Sequence, residues 1–264
     1  MIYLAKDSLI AELNKHLIQE NKDNERPSKH IHPSSFGGCL RKTAYSHYGI
    51  EKKPLDVRIL RIFGNGDGVH ERIQSCCEAA EGVEVIGIEV PVFNEEYQIK
   101  GYVDGIIGLQ NEHYVLEIKS KNSKGFTQYL DKPDKNHIVQ ANIYLWMIED
   151  IMQEAQGKKE EELNESEAIL LKMPQPPQKA ILLYENKDSQ DQKEFILNKD
   201  EKVIEWVQKR AKKFWEIIES QKLPSRPYDV EEVIKSNRLP LECRYMCDYA
   251  EICWASVLDP KFFK

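Results

Sequence analysis

Long apolar runs are missing from this 264-residue chain, because no stretch approaches the roughly 18 continuous residues that a membrane-spanning helix requires. An internal repeat, a low-complexity tract and a G-x-x-x-x-G-K-[ST] phosphate-binding motif are also absent from the sequence. These absences exclude a repeat architecture and a fused nucleotide-driven motor, and no membrane partner is expected. Hydrophobic residues still make up 41% of the chain, which is enough for the core of one enzyme-sized domain.

Net positive charge is missing as well, since the formal charge is −7 and the sequence pI is about 5.6. This balance excludes a protein that coats nucleic acid through a broad basic surface. Acidic residues concentrate in Glu149–Glu167. Basic residues gather in four short groups, at Arg41–Lys42, Arg58–Arg61, Lys119–Lys124 and Lys209–Lys213. The sequence is therefore compatible with a narrow basic groove.

Cysteine is sparse, with six residues, but its placement is uneven. Three cysteines crowd the C-terminal region as Cys243-x3-Cys247-x5-Cys253, and Cys39 stands alone in FGGCLRKTAY. The start of the chain turns charged and amphipathic at once, so we expect no signal peptide and a cytoplasmic protein. In that compartment clustered cysteines are more often metal ligands than disulfides. Four thiolates suit either a [4Fe–4S] cluster or zinc.

Two alternating segments in the middle of the chain predict neighbouring strands, at Lys100–Leu109 and His113–Ser120. Between them, Gln110–Asn111 can form the centre of a tight turn, because asparagine tolerates a positive φ. Leu109 then pairs with Glu112, and this choice fixes the register of the whole hairpin.

The same register places Asp104 directly opposite Glu117, with Lys119 two residues further along the same face. Like charges that face each other destabilise a sheet by roughly 0.2–1 kcal/mol per pair. A divalent cation between the carboxylates relieves that cost, and Mg²⁺ or Mn²⁺ favours such oxygen ligands. An ammonium beside the metal then suggests hydrolysis of a phosphate ester. The alternative is a solvated sheet face with scattered charges.

A helical segment after the second strand, His137–Met152, carries Gln140 and Tyr144 four residues apart and therefore on one face. With the E-x-K strand, these residues resemble the PD-(D/E)XK nuclease superfamily, in particular its RecB-like branch with a Q-x-x-x-Y helix. Val103 stands where the proline of the superfamily's name would be. The resemblance implies catalytic roles for Asp104, Glu117, Lys119, Gln140 and Tyr144.

The cysteine pattern resembles the RecB-like nucleases that contain an iron–sulfur cluster, including the CRISPR-associated RecB-like exonucleases. Cys39 is followed by Arg41 and Tyr45, as around the first ligand of that group. The gap between Cys243 and Cys247 holds three residues where the group usually has two. The resemblance implies a structural [4Fe–4S] cluster on Cys39, Cys243, Cys247 and Cys253, with zinc as the alternative.

A histidine in a G-x-x-x-H context, Gly66 to His70, precedes the first strand of the hairpin by some thirty residues. A lone histidine is more often a core or surface residue than a ligand. RecB-like nucleases nevertheless carry a metal-ligating histidine at this point in the chain order. The resemblance therefore implies that Mg²⁺ or Mn²⁺ is held by His70, Asp104, Glu117 and the backbone carbonyl of Ile118.

The function that the resemblance implies is a metal-dependent DNA nuclease, mainly an exonuclease that prefers single-stranded DNA or free ends. Arg41, Lys121 and Lys124 are the candidate DNA contacts. Repair, recombination, phage replication and CRISPR adaptation all use such enzymes, so protein partners from one of these pathways are expected. Two alternatives stay open: a non-catalytic DNA-binding scaffold that keeps the fold, and an RNA-processing nuclease, although no RNA-recognition module is present.

The predicted fold class is α/β, with a mixed central sheet flanked by helices. One domain is expected over residues 1–264, comprising a first-cysteine segment (34–55), a nuclease core (57–200) and a cluster segment (201–264). The cluster would join the N- and C-terminal segments. The predicted helices are Ser8–Glu20, Phe36–Tyr48, Val57–Ala80 with an interruption near Gly64–Gly68, His137–Met152 and Lys199–Gln221. The predicted strands are Val83–Phe93, Lys100–Leu109, His113–Ser120, Ala168–Lys172, Ala180–Tyr184 and Glu194–Leu197, and Asn21–Pro33 is expected to be a flexible connection.

Overall fold

A computed structural model describes residues 8–24, 29–129, 131–236 and 238–258. Four residues of the predicted connection Asn21–Pro33, 25–28, lie outside the described residues. The final residues of the predicted cluster segment, 259–264, lie outside them too.

The described residues form eleven α-helices, one short 3-10 helix and five strands. The helices are α1 Leu9–Asn24, α2 Pro33–Phe36, α3 Leu40–His47, α4 Val57–Ala79, α5 Ser123–Thr127, α6 Lys135–Ala155, α7 Glu165–Leu170, α8 Glu201–Glu219, α9 Val230–Ser236, α10 Leu241–Met246 and α11 Ala250–Trp254. The strands are β1 Glu84–Asn94, β2 Ile99–Leu109, β3 Glu112–Lys121, β4 Lys179–Asn186 and β5 Gln192–Asn198, and the 3-10 helix is Glu160–Glu162. In this part of the chain no helix is both long and apolar enough to cross a membrane.

The five strands form one mixed sheet in the order β1-β2-β3-β4-β5. The pairs β1–β2, β2–β3 and β4–β5 are antiparallel, whereas β3 and β4 run parallel. The parallel pair requires a crossover, which the chain supplies through α5, α6 and α7. The predicted α/β fold class with a mixed sheet is confirmed, and the last two strands form an antiparallel hairpin.

The β2–β3 hairpin has the predicted register, because Leu109 pairs with Glu112 and Gly105 pairs with Leu116. Both turn residues adopt a positive φ, 49° at Gln110 and 67° at Asn111. A two-residue turn with this conformation matches the twist of the flanking strands. The polar pair Gln-Asn therefore sets the alignment of two strands and, through it, the position of the functional residues at the far end of the hairpin.

Helices flank the sheet and bury it. The second half of α4 contributes Val69 and Ile73 to a core cluster with apolar residues of the strands, namely Ile107, Tyr114, Leu116, Ile118 and Ile181. Helix α6 is the most deeply buried helix, with twelve buried residues, and it contacts β1, β3 and β4. Such continuous burial explains why its sequence, from Ala141 to Met152, is apolar around most of its circumference.

The chain divides into two compact units. The sheet unit comprises Lys29–Gly38 and Gly66–Gln221, and it contains all five strands. The cysteine unit comprises the described residues of Met1–Ser28, Cys39–Asn65 and Lys222–Lys264. Its apolar cluster is formed by Tyr45, Val233, Tyr249, Cys253, Trp254 and Leu258. The cysteine unit thus brings segments from both ends of the sequence together through apolar packing.

Two local predictions are wrong, and each error has a physical reason. Helix α4 continues without interruption through Gly64–Gly68. Each glycine costs a helix about 1 kcal/mol, but burial of Val69 and Ile73 on the sheet outweighs that cost. The segment Ala168–Lys172 is not a strand, because Asn164 and Glu167 form a reciprocal capping box that starts α7.

The predicted helix Phe36–Tyr48 is also wrong in its continuity, since the structure has two helices, α2 and α3. They are separated at Gly37–Cys39, where Cys39 has an extended backbone with φ −80° and ψ 108° and precedes the first turn of α3. The break places the Cys39 thiol at a helix start and not within a helix.

Candidate active site

Asp104 occupies the centre of the site, on β2 one residue beyond the last β2–β3 pair. Its Oδ2 atom accepts a hydrogen bond from the Ile118 backbone N–H at 2.6 Å. Its backbone carbonyl accepts a second bond from Gln74 Nε2 at 2.8 Å. The first bond fixes one carboxylate oxygen and the second fixes the backbone, so the other carboxylate oxygen, Oδ1, is left for another partner.

Potential metal-ligand atoms of three residues, one of them Asp104, lie close together at this place. His70, Glu89 and Asp104 each offer one atom, and these atoms all lie within 4.8 Å of one another. His70 Nδ1 lies 3.6 Å from Asp104 Oδ1. Burial and the nearby Lys119 lower the pKa of His70, which favours the neutral imidazole that a metal requires. The structure therefore brings the sequence-predicted His70 and Asp104 together, across α4 and β2.

Glu89 is a member of this cluster that the sequence interpretation missed. The β1–β2 register, in which Ile88 pairs with Gly105, places Glu89 opposite Asp104. Gln74 Nε2 donates to Glu89 Oε1 at 2.7 Å, so one amide holds both acidic residues. Glu89 has a φ of 48°, which is unfavourable for a side chain other than glycine and is often found at functional sites.

Glu117 is fully buried on β3, beside Asp104. Lys119 Nζ forms an ion pair with Glu117 Oε1, yet neither carboxylate oxygen makes a hydrogen bond of normal geometry within the described residues. A buried carboxylate without hydrogen bonds is costly, since the desolvation of the charge is not compensated. Such oxygens are suited to a cation.

Helix α6 supplies the remaining predicted residues. Gln140 Nε2 and Tyr144 Oη lie 3.5 Å apart, and both side chains are buried. Burial raises the pKa of Tyr144, and the carboxylates of Glu117, Asp104 and Glu89 add to the effect, so the phenol lies within electrostatic reach of the acidic cluster.

Gly101 explains how the Tyr144 ring is accommodated beside β2. A methyl group on Gly101 would lie 3.1 Å from Tyr144 Cε1 and 3.0 Å from Pro33 Cδ. The glycine three residues before Asp104 is therefore required by a close approach, not by an unusual φ.

The residues present fit a divalent cation. The donors are carboxylate oxygens and one neutral imidazole, a set that suits Mg²⁺ or Mn²⁺. The orphaned oxygens of Glu117 provide further ligand capacity. One or two hard cations would neutralise the buried negative charge that remains beyond the ion pair with Lys119.

Without a metal, the carboxylates of Asp104 and Glu117 are neutralised by protonation. Burial raises the pKa of Asp104 to about 6, and burial together with the charge of Asp104 raises the pKa of Glu117 to about 7. Because the ordinary values lie near 4, the stabilising contribution of the neutral forms is fully present below about pH 4. It is lost as the pH rises through about 6 to 7.

We therefore expect Glu117→Gln to stabilise the metal-free protein at pH 8 but not at pH 4, because glutamine copies the neutral acid. Since the desolvation of the Glu117 charge outweighs its ion pair with Lys119, removal of that charge should raise the melting temperature at pH 8 by about 5 °C or more over wild type. Thermal unfolding in a chelating buffer measures the difference. Glu112→Gln, at the exposed end of the same strand, is the control and should show no such gain. Equal melting temperatures of Glu117→Gln and wild type at pH 8 would contradict the assigned burial cost.

The four predicted cluster cysteines lie in the cysteine unit. Cys253 is buried, and Cys39, Cys243 and Cys247 are partly buried. Burial raises the pKa of Cys243 to about 11, with contributions from the three other thiols. Burial also raises the pKa of Cys247, to which Cys39 contributes. The four thiols therefore lie within electrostatic reach of one another, and a metal cluster on them stays a prediction.

The three predicted DNA contacts differ in their surroundings. Arg41 Nη1 donates to the Pro224 carbonyl at 2.8 Å, and Arg41 Nε donates to Tyr45 Oη at 3.2 Å. Lys121 is partly buried, and its ammonium lies 5.5 Å from the centre of the Tyr129 ring. Lys124 is exposed on α5. Arg41 is thus engaged within its own unit, whereas Lys124 is open to solvent. Binding of DNA by these three residues stays a prediction.

Three solved structures are similar to this chain. SSO0001 is 22% identical, with 97% of this chain and 100% of that chain covered and a TM-score of 0.54. An alkaline exonuclease, LHK-Exo from Laribacter hongkongensis, is 11% identical over 78% of this chain and 93% of its own, with a TM-score of 0.45. The LHK-Exo complex with dAMP gives 13% identity, coverage of 73% and 89%, and the same TM-score of 0.45. No curated protein matches the chain significantly.

A family comparison covers the region in which the site was found. The model of the PD-(D/E)XK nuclease superfamily matches residues 65–254. This range is well over half of the 264 residues, and it includes His70, Glu89, Asp104, Glu117 and Lys119. The chain therefore belongs to the PD-(D/E)XK nuclease superfamily.

Proposed function

We propose that this protein is a metal-dependent deoxyribonuclease of the RecB-like type, acting mainly as an exonuclease on single-stranded DNA or free DNA ends. The observation that carries the proposal is the convergence of His70, Glu89 and Asp104 within 4.8 Å. Beside them lies the buried Glu117–Lys119 pair. A hard-metal site next to an ammonium matches the needs of phosphodiester hydrolysis.

The acidic residues and His70 are the proposed metal ligands. One or two Mg²⁺ or Mn²⁺ ions would be held by Asp104, Glu117, His70 and Glu89, and the carbonyl of Ile118 is the proposed backbone ligand. Such ions, when bound, lower the pKa of a water and neutralise charge on the phosphate. The Ile118 N–H fixes the rotamer of Asp104, and Gln74 fixes Glu89. These supports keep the ligands oriented before substrate arrives.

Lys119 contributes an ammonium group to the site. Its ammonium contacts Glu117 and is mostly buried, with a side chain 19% exposed. Because a charge acts more strongly where water is excluded, the lysine can orient the attacking water and stabilise negative charge that develops on the phosphoryl oxygens. Gln140 and Tyr144 offer an amide and a phenol to position the strand beside this group.

A [4Fe–4S] cluster on Cys39, Cys243, Cys247 and Cys253 is the structural part of the proposal. The electrostatic proximity of the four thiols supports it, as does the packing of Cys243, Cys247 and Cys253 with Tyr45, Tyr249 and Trp254 in one apolar cluster. A cluster there would join segments from both ends of the sequence. Zinc is the alternative metal at these cysteines. The iron and zinc content of anaerobically purified protein distinguishes an iron–sulfur cluster from a zinc site.

A set of labelled substrates tests the proposed class of activity. Linear single-stranded DNA, circular single-stranded DNA, duplex DNA and RNA should be compared with Mn²⁺ at equal nucleotide concentration. We expect the linear single strand to be degraded fastest and the circle to persist, because an exonuclease needs an end. Preferential loss of RNA would replace the proposal with an RNA nuclease. Binding of DNA without cleavage would replace it with a scaffold.

Glu89→Gln should raise the Mn²⁺ concentration needed for half-maximal cleavage about tenfold, because one charged ligand is lost while the size of the side chain is kept. His70→Ala should shift the metal titration in the same direction. Glu84→Gln, on the same strand but exposed, is the matched control and should leave the titration unchanged. Identical Mn²⁺ curves for Glu89→Gln and wild type would remove Glu89 from the ligand set.

A further inference from the structure

A ring cluster lies at the start of α6, beside the proposed active site. Tyr129 stacks on Tyr184, with ring centres 5.5 Å apart and planes 28° apart. His137 lies 5.5 Å from the Tyr184 ring and 6.2 Å from the Tyr129 ring. The register pairs Tyr184 with Lys119, so the cluster is next to the catalytic lysine.

Helical geometry connects His137 to the residues already assigned. His137 precedes Gln140 by three positions and Tyr144 by seven, which places all three on one face of α6. Two lysines of β3 lie within electrostatic reach of the ring, since the pKa of His137 is lowered to about 3 by burial and by Lys119 and Lys121. His137 is only partly buried. The imidazole thus has access to solvent on a basic side of the site.

The hydrogen bonds around Tyr184 favour one tautomer of His137. The Asp134 backbone N–H donates to Tyr184 Oη at 3.1 Å, so this oxygen acts as an acceptor there. The single phenolic proton is then available for His137 Nδ1, which lies 2.7 Å away. Tyr129 Oη donates to Asp134 Oδ2 at 2.7 Å and so fixes the residue whose backbone N–H binds Tyr184. With Nδ1 as an acceptor and the ring neutral, the remaining proton of His137 is on Nε2.

We propose that His137 is a substrate-binding residue whose neutral Nε2–H donates to a nonbridging phosphate oxygen of the nucleic acid strand, next to the scissile phosphate. The proposal rests on the proposed nuclease function and assigns a further contact for its substrate. A neutral donor within electrostatic reach of Lys119 and Lys121 adds a directional hydrogen bond to a basic subsite and does not titrate near neutral pH. Such a ring cannot supply a proton as a general acid at that pH, so its contribution is to binding.

Steady-state cleavage of a labelled single-stranded oligonucleotide with Mn²⁺ tests the proposal. We expect His137→Ala to raise KM about tenfold while kcat changes less than about threefold, because a hydrogen bond to a charged group is lost. His137→Gln, which keeps a neutral donor near the Nε2 position, should restore most of the affinity. His137→Phe keeps the ring but not the donor and should behave like alanine. His113→Ala, at the opposite end of β3, is the control and should match wild type.

Nitrogen NMR of the histidines gives a readout that does not depend on the folding of any variant. The wild-type protein should show His137, among its seven histidines, as an Nε2–H tautomer that does not titrate between pH 8 and 5. An Nδ1–H tautomer or an imidazolium in this range would overturn the assignment. An unchanged KM in His137→Ala, in an enzyme that cleaves DNA, would overturn the subsite and leave the nuclease function intact. Absence of cleavage by wild type would overturn both.

Discussion

Glu117→Ala and Lys119→Ala are each expected to reduce DNA cleavage by about three orders of magnitude or more, while the fold and the metal content of the cysteine unit are retained. Glu117 is fully buried with unsatisfied oxygens, and Lys119 is its immediate partner. Removal of the carboxylate deletes a proposed metal ligand. Removal of the ammonium deletes the positive charge that stabilises the transition state. Single-turnover cleavage at saturating DNA and Mn²⁺ measures the chemical step for both variants.

The two variants should differ in their response to metal. Glu117→Ala should require more Mn²⁺, whereas Lys119→Ala should bind Mn²⁺ at least as tightly, because a neighbouring positive charge has been removed. Lys179→Ala, which breaks an exposed ion pair with Glu112, is the matched control and should cleave DNA at the wild-type rate. Near-wild-type cleavage by Lys119→Ala would remove the assigned role of that lysine. Near-wild-type cleavage by both variants would refute the active-site assignment.

Cys253→Ser is expected to lower the melting temperature by roughly 10–20 °C and to abolish binding of iron. Metal binding by a site that forms only in the native state contributes directly to folding free energy. Loss of several kcal/mol shifts the melting temperature of a domain of this size by about that amount. Cys253 also belongs to the apolar cluster with Trp254 and Tyr249. Thermal unfolding and elemental analysis of anaerobically purified protein measure the two effects.

Two controls separate the cluster from simple packing. Cys253→Ala avoids a buried hydroxyl, and it should lose iron and stability as the serine variant does. Cys76→Ser changes an exposed cysteine outside the proposed ligand set and should shift the melting temperature by only a degree or two. A wild-type protein that binds neither iron nor zinc, or a Cys253→Ala variant with wild-type stability, would refute the proposed joining of the two ends by a metal cluster.

Local sequence information predicted the parts of the fold that local interactions determine. The Gln110–Asn111 turn fixed the hairpin register, and with it the adjacency of Asp104 and Glu117. The sequence predicts a strand at Ala168–Lys172, where the structure has the end of helix α7. The segment is short and apolar at several positions, and periodicity does not distinguish a helix from a strand in such a run. The capping pair Asn164 and Glu167 was the available evidence for a helix.

The candidate site was predictable where residues follow a spaced motif and not where they depend on tertiary contacts. Asp104, Glu117 and Lys119 follow from the hairpin, and Gln140 and Tyr144 follow from helical spacing. Glu89 has no motif of its own, since it is one glutamate in an alternating strand. Only the pairing of β1 with β2 and its positive φ single it out. His137 likewise depends on Tyr184, which is distant in sequence and reaches α6 through the parallel β3–β4 pair.

The most direct test of the metal-dependent deoxyribonuclease is cleavage of end-labelled single-stranded DNA by anaerobically purified protein, with Mn²⁺ and with EDTA. We expect rapid release of the label with Mn²⁺, none with EDTA, and none by Glu117→Ala under either condition. DNA cleavage should recover completely when excess Mn²⁺ is added to the EDTA-treated enzyme, because the buried carboxylates of Asp104 and Glu117 are retained. Intact DNA after incubation of wild type with Mn²⁺, or equal cleavage by Glu117→Ala, would contradict the account.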